Sequence, residues 1–278
     1  MAQHNKENSR RQFIKSAGIA AAGLALLGGG VGYYNKVNGP KFTRQPRFLR
    51  PPGAIDEETF IYACIKCGLC VQICPVEAIK LADLNKGLDY GTPYIDVREQ
   101  ACDFSCDSLQ CVETCPTAVL DFTPFELAGG EALKEYSQTH DATKPGFNPF
   151  SVQIIAMKSI VKMGIAKVNK ETCLAHKGEG FNGTPRGNDF DGIYRSPNSK
   201  TGKPAPLSET TFDREICDLC VTECPIGEKA IVMSVDSETG KTIPQVLEGC
   251  TGCGVCVMVC PTQKESIIIE PINEESHV

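Results

Sequence analysis

One cysteine spacing constrains this chain more than any other feature, and it occurs twice. Cys64, Cys67, Cys70 and Cys74, followed by Pro75, read C-x2-C-x2-C-x3-C-P; Cys250, Cys253, Cys256 and Cys260, followed by Pro261, repeat it near the other end. Three thiols two residues apart wrap a tight loop around one compact centre, and the fourth lies far enough on to reach a neighbour. This is the spacing that holds a cubane iron–sulfur cluster. The fourth cysteine is expected to open a helix, because a proline just inside a first helical turn has no N–H to leave unpaired.

The chain holds sixteen cysteines, and the other eight fall into place around these. A second set, Cys102, Cys106, Cys111 and Cys115 before Pro116, has the looser spacing C-x3-C-x4-C-x3-C-P. A third, Cys217, Cys220 and Cys224 before Pro225, lacks its first member; Arg214 stands where a cysteine is due. The cysteine left over is Cys173. The expectation is that Cys173 completes the third set across an insertion, 174–216, against the alternative of a free thiol beside a three-ligand cluster. A strand-like alternation enters Cys173 (Ala166, Val168) as it enters Cys102 (Tyr94, Ile95, Asp96, Val97).

After each Cys-Pro exit comes a short apolar run: Ala78 to Leu81, Val119 to Phe122, Ile231 to Met233 and Ile267 to Ile269. Strand, cluster loop, short helix and strand therefore recur four times. Such self-similarity fixes architecture better than local propensity. The predicted class is α+β, with two tandem bacterial-ferredoxin-like modules of two [4Fe-4S] clusters each. In such pairs the fourth cysteine of one set serves the other cluster. The expected ligand groups are Cys64, Cys67, Cys70 with Cys115; Cys102, Cys106, Cys111 with Cys74; Cys250, Cys253, Cys256 with Cys224; and Cys173, Cys217, Cys220 with Cys260. Four [4Fe-4S] clusters would then supply folding energy that small apolar cores lack.

Other uses of cysteine fit less well. Disulfides require no proline after each fourth cysteine, and close C-x2-C pairs bridge awkwardly. Zinc sites separate their C-x2-C pairs by longer gaps. No cysteine is followed by His, as covalent haem requires, and the four histidines are scattered. A net charge of −6 gives no basic surface for nucleic acid. No nucleophile, acid–base pair or open metal site is visible, so the chain is expected to do no substrate chemistry of its own.

The N-terminus reads as a targeting segment, 1–35. Ser9 to Lys15 forms a twin-arginine motif around Arg10 and Arg11, and an uncharged, glycine-bearing run follows from Ser16 to Asn35. Export of already folded protein by the twin-arginine (Tat) machinery suits a chain whose clusters are built inside the cell. No Ala lies between Leu26 and Gly53, so an ordinary cleavage site is missing, although Gly30-Val31-Gly32 is a possible substitute. As helix, that run would span about 30 Å, so a retained inner-membrane anchor is favoured over removal. A linker, 36–55, follows, with Lys41 to Pro52 expected as an extended tether. The remaining expected boundaries are 56–127 for the first cluster pair, 128–164 for a connecting segment and 165–278 for the second pair.

In the connecting segment, Phe147 to Lys167 is apolar at helical spacing, through Ile154, Met157, Ile160, Val161, Ile165 and Val168, with Lys158 and Lys162 away from that side. It is expected as a helix packed between the cluster pairs, in preference to a docking helix for a membrane subunit. Gly178, Gly180 and Gly183 match GxGxxG, but no strand precedes them and Thr184-Pro185 follows. A nucleotide site is therefore excluded and a loop expected. The rest of the insertion shows no periodicity and is expected as either disorder or a partner surface.

Taken together, Ser9–Lys15, Arg50–Ala54, Cys64–Pro75, Gly91–Tyr94 and Cys173 with its distant partners resemble the MauM/NapG family of periplasmic ferredoxin-type proteins. The resemblance covers nearly the whole chain and extends to the looser second set. It implies the iron–sulfur subunit of a quinol dehydrogenase, taking electrons from a polytopic, cluster-bearing membrane subunit that oxidises quinol. Delivery would be to a periplasmic reductase, such as nitrate reductase, or to a cytochrome. The alternatives are the four-cluster subunit of a molybdopterin oxidoreductase, or an iron–sulfur sensor or assembly factor.

Overall fold

The computed structural model describes residues 48–141 and 146–272. The expected targeting segment and most of the linker lie outside the described residues. The described residues, from Phe48 onward, belong to one compact unit. Among the described residues, no helix is long and apolar enough to cross a membrane.

The cysteine repeats build a skeleton of two-stranded antiparallel sheets and single-turn helices. Ile79–Leu81, after the first set, pairs with Pro93–Ile95, before the second, in the register Ile79 to Ile95. The third and fourth sets are joined in the same way: Ile231–Val235 pairs with Thr242–Val246. Gly164–Val168, before Cys173, then pairs with Ile267–Pro271, after the fourth set, with Val168 opposite Ile267. The corresponding outer pairing around the first two sets is a single bridge, Ala54 to Leu120. A full strand is absent there because the chain turns into a helix, Thr123–Thr139, almost at once.

The short helices stand one turn earlier than the sequence suggests. Leu69–Gln72, Gln110–Glu113, Leu219–Thr222 and Val255–Met258 carry Cys70, Cys111, Cys220 and Cys256 and end just before the fourth cysteine of each set. A three-residue gap is one helical turn, so the helix links the third cysteine to the fourth. The proline then stops it. Past Cys74 the chain makes a tight turn, in which Glu77 N–H donates to the Cys74 carbonyl (3.1 Å), and enters the strand directly.

Phe48 to Pro52, expected as tether, is instead packed in the fold. Leu49 and Arg50 are buried. The Leu49 carbonyl accepts from Ile95 N–H (2.8 Å). The Arg50 guanidinium donates to Glu57 (3.0 Å), the Thr92 hydroxyl (2.9 Å) and the Pro93 carbonyl (2.9 Å), and also pairs with Asp89. A buried Arg is stable only with its donors satisfied, and these acceptors lock the entry to the first cysteine loop.

The connecting segment is a helical hairpin. Thr123–Thr139 has Pro124 as its second residue and Glu126 in its first turn, both favourable at a helix N-terminus. Pro149–Ser159 is capped by Asn148, whose side chain accepts from Ser151 N–H (3.1 Å). The two helices meet where Gly129 leaves room. A Cβ there would stand 2.8 Å from Gln153 and 3.1 Å from Met157. The single long helix expected from Phe147 to Lys167 is therefore corrected. It ends at Ser159, and Ile165 and Val168 lie on the strand Gly164–Val168. Met157 and Val161 are buried, but Ile160 and Ile165 are exposed.

The insertion is ordered structure. Phe181–Gly183 pairs with Phe212–Arg214, closing the insertion at its neck, and Ile193–Tyr194 pairs with Ala205–Pro206 inside it. The expected loop at the GxGxxG match thus contains a short strand. Gln100 ties the insertion to the second set: its side-chain nitrogen donates to Ile193 carbonyl (2.6 Å) and its oxygen accepts from Ile193 N–H (2.9 Å). Tyr194 and Ser196 hydroxyls both donate to the buried Glu223 carboxylate, at 2.9 and 2.6 Å. The insertion is therefore a strap holding the second set to the third. Periodicity was a poor guide because these strands are two or three residues long.

Candidate metal centres

All sixteen cysteines are free thiols. Twelve of them line three cavities. Cys64, Cys67, Cys70 and Cys115 face one, with about 360 Å³ of open space. Cys224, Cys250, Cys253 and Cys256 face another, of about 320 Å³. Cys173, Cys217, Cys220 and Cys260 face the third, of about 370 Å³. Each cavity brings together four cysteines that were expected to share a cluster, one of them from the paired set.

The last four thiols also converge. The Cys111 thiol is pushed up first by burial, then by the neighbouring charges of Cys106, Cys74 and Cys70. Cys102 is raised well above an ordinary thiol by burial, then by Cys111, Cys106 and Cys253. Cys74 and Cys106 are thus both neighbours of Cys111.

Cys173 reaches its group because of the insertion's neck. The Phe181–Gly183 and Phe212–Arg214 pairing brings the chain back to where it left, and Cys217 N–H donates to the Glu179 carbonyl (3.1 Å). Cys173 is buried and precedes the helical turn Leu174–Lys177. The insertion is spliced out in space, so Cys173 and Cys217 act as if adjacent in sequence.

These sites suit [4Fe-4S] clusters in chemistry as well as shape. Their other walls are mainly apolar: Ile65, Leu69, Leu81 and Leu120 at the first, and Ile226, Ile231, Val246 and Ile269 at the Cys250 site. Burial raises the bare thiols, Cys70 and Cys217 to about 11 and Cys253 to about 12. Cys220 and Cys256 go well above their ordinary value for the same reason, followed by repulsion from the thiols around them. Four crowded thiolates without a cation are unfavourable; iron reverses the balance by binding the deprotonated sulfur. A backbone donor already points at one sulfur, Ala78 N–H to Cys74 Sγ at 3.3 Å. Among the described residues, no three His, Cys, Asp or Glu form a site for a single metal ion.

The sets also adjoin one another in a row. Cys111 feels Cys70 of the first group, Cys102 feels Cys253 of the Cys250 group, and Cys256 feels Cys220 of the Cys173 group. The link between halves is a direct backbone contact: Cys102 N–H donates to the Cys253 carbonyl (3.1 Å). Arg98 reinforces it by donating to the carbonyls of Val257 (2.7 Å), Cys260 (2.9 Å) and Thr262 (2.7 Å). Sequence reasoning missed these contacts, since nothing in Arg98 or in the spacing signals an interface between the halves.

Comparison with known proteins agrees with this chemistry. The model of a 4Fe-4S dicluster domain matches the chain twice, over residues 63–123 and 215–264. The chain is 30% identical over 274 residues to the ferredoxin-type protein NapG of Escherichia coli (strain K12), covering 96% of this chain and 87% of that one. It is 28% identical over 272 residues to the methylamine utilization ferredoxin-type protein MauM of Methylorubrum extorquens, covering 96% and 90% of the two chains. The MauM of Paracoccus denitrificans is 28% identical over 268 residues, with 95% and 88% covered. No solved structure matches the chain. With these relatives, the dicluster matches and the converging thiols, the chain belongs to the NapG/MauM family of ferredoxin-type proteins and is an iron–sulfur electron carrier using [4Fe-4S] clusters.

Proposed function

We propose that the chain is a linear relay of four [4Fe-4S] groups in two tandem dicluster modules, serving as the iron–sulfur subunit of a quinol dehydrogenase. The ligands are Cys64, Cys67, Cys70 and Cys115; Cys74, Cys102, Cys106 and Cys111; Cys224, Cys250, Cys253 and Cys256; and Cys173, Cys217, Cys220 and Cys260. When bound, each group supplies a one-electron carrier. The observation that carries the reading is that each four-thiol set adjoins the next, through Cys70 and Cys111, Cys102 and Cys253, and Cys220 and Cys256. Cys67 is exposed, which makes the first set a terminus at the surface.

The chain is exported by the twin-arginine route, works in the periplasm and is tethered to the inner membrane through its N-terminal segment. It takes electrons from a polytopic quinol-oxidising iron–sulfur subunit and passes them towards a periplasmic reductase, such as nitrate reductase, or to a cytochrome. Support comes from Arg10 and Arg11 in Ser9–Lys15, the uncharged run behind them and the relatives' names. Anaerobic purification of the full chain from membranes tests this. A polytopic iron–sulfur subunit is expected to accompany it, with quinol reducing the chain only when that subunit is present. Association with a molybdopterin enzyme alone, and no response to quinol, would contradict it.

A further inference from the structure

Lys158, expected on the outer side of its helix, points inward at the second set. Its ammonium donates to the carbonyls of Phe104 (2.8 Å) and Cys106 (2.6 Å), inside the loop from Cys102 to Cys106. The side chain is half-buried, and among the described residues it makes no salt bridge. The loop also meets a buried carboxylate and a second cation. The buried Asp103 carboxylate accepts from Ser105 N–H (2.9 Å) and hydroxyl (2.5 Å) and from Arg195 N–H. The Arg195 guanidinium donates to the Ser105 carbonyl (2.6 Å). Asp107 is exposed, where water and salt screen it. Lys158 is the cation that donates to a cysteine carbonyl of this loop, and it brings a partly desolvated positive charge against it.

At the other sites, the half-buried Arg98 guanidinium reaches the Cys260 carbonyl (2.9 Å), beyond the loop of the fourth set's first three cysteines. Among the described residues, no side-chain cation donates to a carbonyl of the Cys64 to Cys70 loop. Lys162 reaches the Cys250 carbonyl (3.0 Å) and that of Glu248, but it is exposed.

We propose that Lys158 sets the reduction potential of the site formed by Cys74, Cys102, Cys106 and Cys111, by holding a positive charge against its loop. Adding one electron to that site makes a unit already anionic through its four thiolates more so, with no bond or proton changed. A nearby cation in a low-dielectric setting stabilises the more negative state and so raises the midpoint. Because Cys102 adjoins Cys253, Lys158 thereby tunes the site beside the junction between the halves. The inference rests on the four-group reading above.

The test is anaerobic redox titration of the full chain, followed by electron paramagnetic resonance, with iron counted first. Lys158→Met is expected to lower one midpoint, reducing that site's reduction equilibrium at least tenfold (59 mV for one electron), while the other three stay put. Lys158→Arg keeps the charge and should keep the parent value. Lys158→Gln, which removes the charge but keeps a side-chain N–H donor, should lower the same midpoint. An unchanged midpoint in Lys158→Met, or an equal shift of all four, overturns the proposal. If Lys158→Met loses iron, Lys158→Gln decides: one lowered midpoint supports the proposal and an unchanged one overturns it. A parent chain with fewer than four groups contradicts the relay reading instead, and is seen before any variant is compared.

Discussion

The backbone N–H of Cys102 donates to the carbonyl of Cys253 at 3.1 Å, joining cysteine loops from opposite halves of the sequence. The approach is this close because Gly254 follows. It sits at φ +86°, and a Cβ there would lie 2.2 Å from Val97 Cγ1. Gly254→Ala is therefore expected to destabilise the chain by about 1–3 kcal/mol, from crowding and a left-handed backbone together. At about 2–4 °C per kcal/mol for a domain of this size, the apparent unfolding temperature should drop by several degrees. A variant that melts with the parent would show that the junction is not tightly packed.

Cys173→Ser tests the insertion's neck. Removing this thiol should cost the chain either a single iron or a whole four-iron group out of about sixteen irons, while the other three groups keep their spectra. Unchanged iron and sulfide in Cys173→Ser would mean that Cys173 is not a ligand.

The strap depends on Glu223, a buried carboxylate that holds Tyr194 and Ser196. Glu223→Ala leaves both hydroxyls without their acceptor and should cost about 1–3 kcal/mol. Faster proteolytic cleavage within the insertion, at residues 184–211, is the expected readout. Parent-like protection would indicate that the strap is held elsewhere.

Tyr194 also gives the fold an alkaline limit. Burial, followed by the Glu223 charge and hydrogen bond, raises its phenol well above the usual value. A group with a raised folded pKa binds more protons folded than unfolded. Its stabilisation is thus complete below the ordinary phenol value of about 10 and is lost as pH climbs towards the folded value. Iron-loaded protein should lose stability progressively above pH about 10, with a shallower decline in Tyr194→Phe. Equal slopes in the two proteins would assign the alkaline loss to another group.

Much of this was legible in the sequence. Thiol spacing is a local geometric demand, so it marked the four sets, and the pairing of such sets anticipated that Cys115, Cys224 and Cys260 cross to line a cavity with the partner set. Cys173 was accessible by elimination, although only the strand pairing at the neck explains how it arrives. Less was readable where tertiary contacts override pattern. Phe48–Pro52 looks like a polar, proline-rich tether until Arg50 meets Glu57, Asp89 and Thr92. The strand Gly164–Val168 carries Ile165 outward, which no helical count anticipates. Strands of two or three residues in the insertion leave no period to detect. Lys158 looked like a solvent-facing lysine because its acceptors, the Phe104 and Cys106 carbonyls, lie far away in sequence.

The central claim is that all sixteen cysteines hold four cubane groups, and iron and acid-labile sulfide per chain test it most directly. On protein purified without oxygen, the account requires about sixteen of each. About eight of each, or little iron with the thiols paired as disulfides, would contradict it.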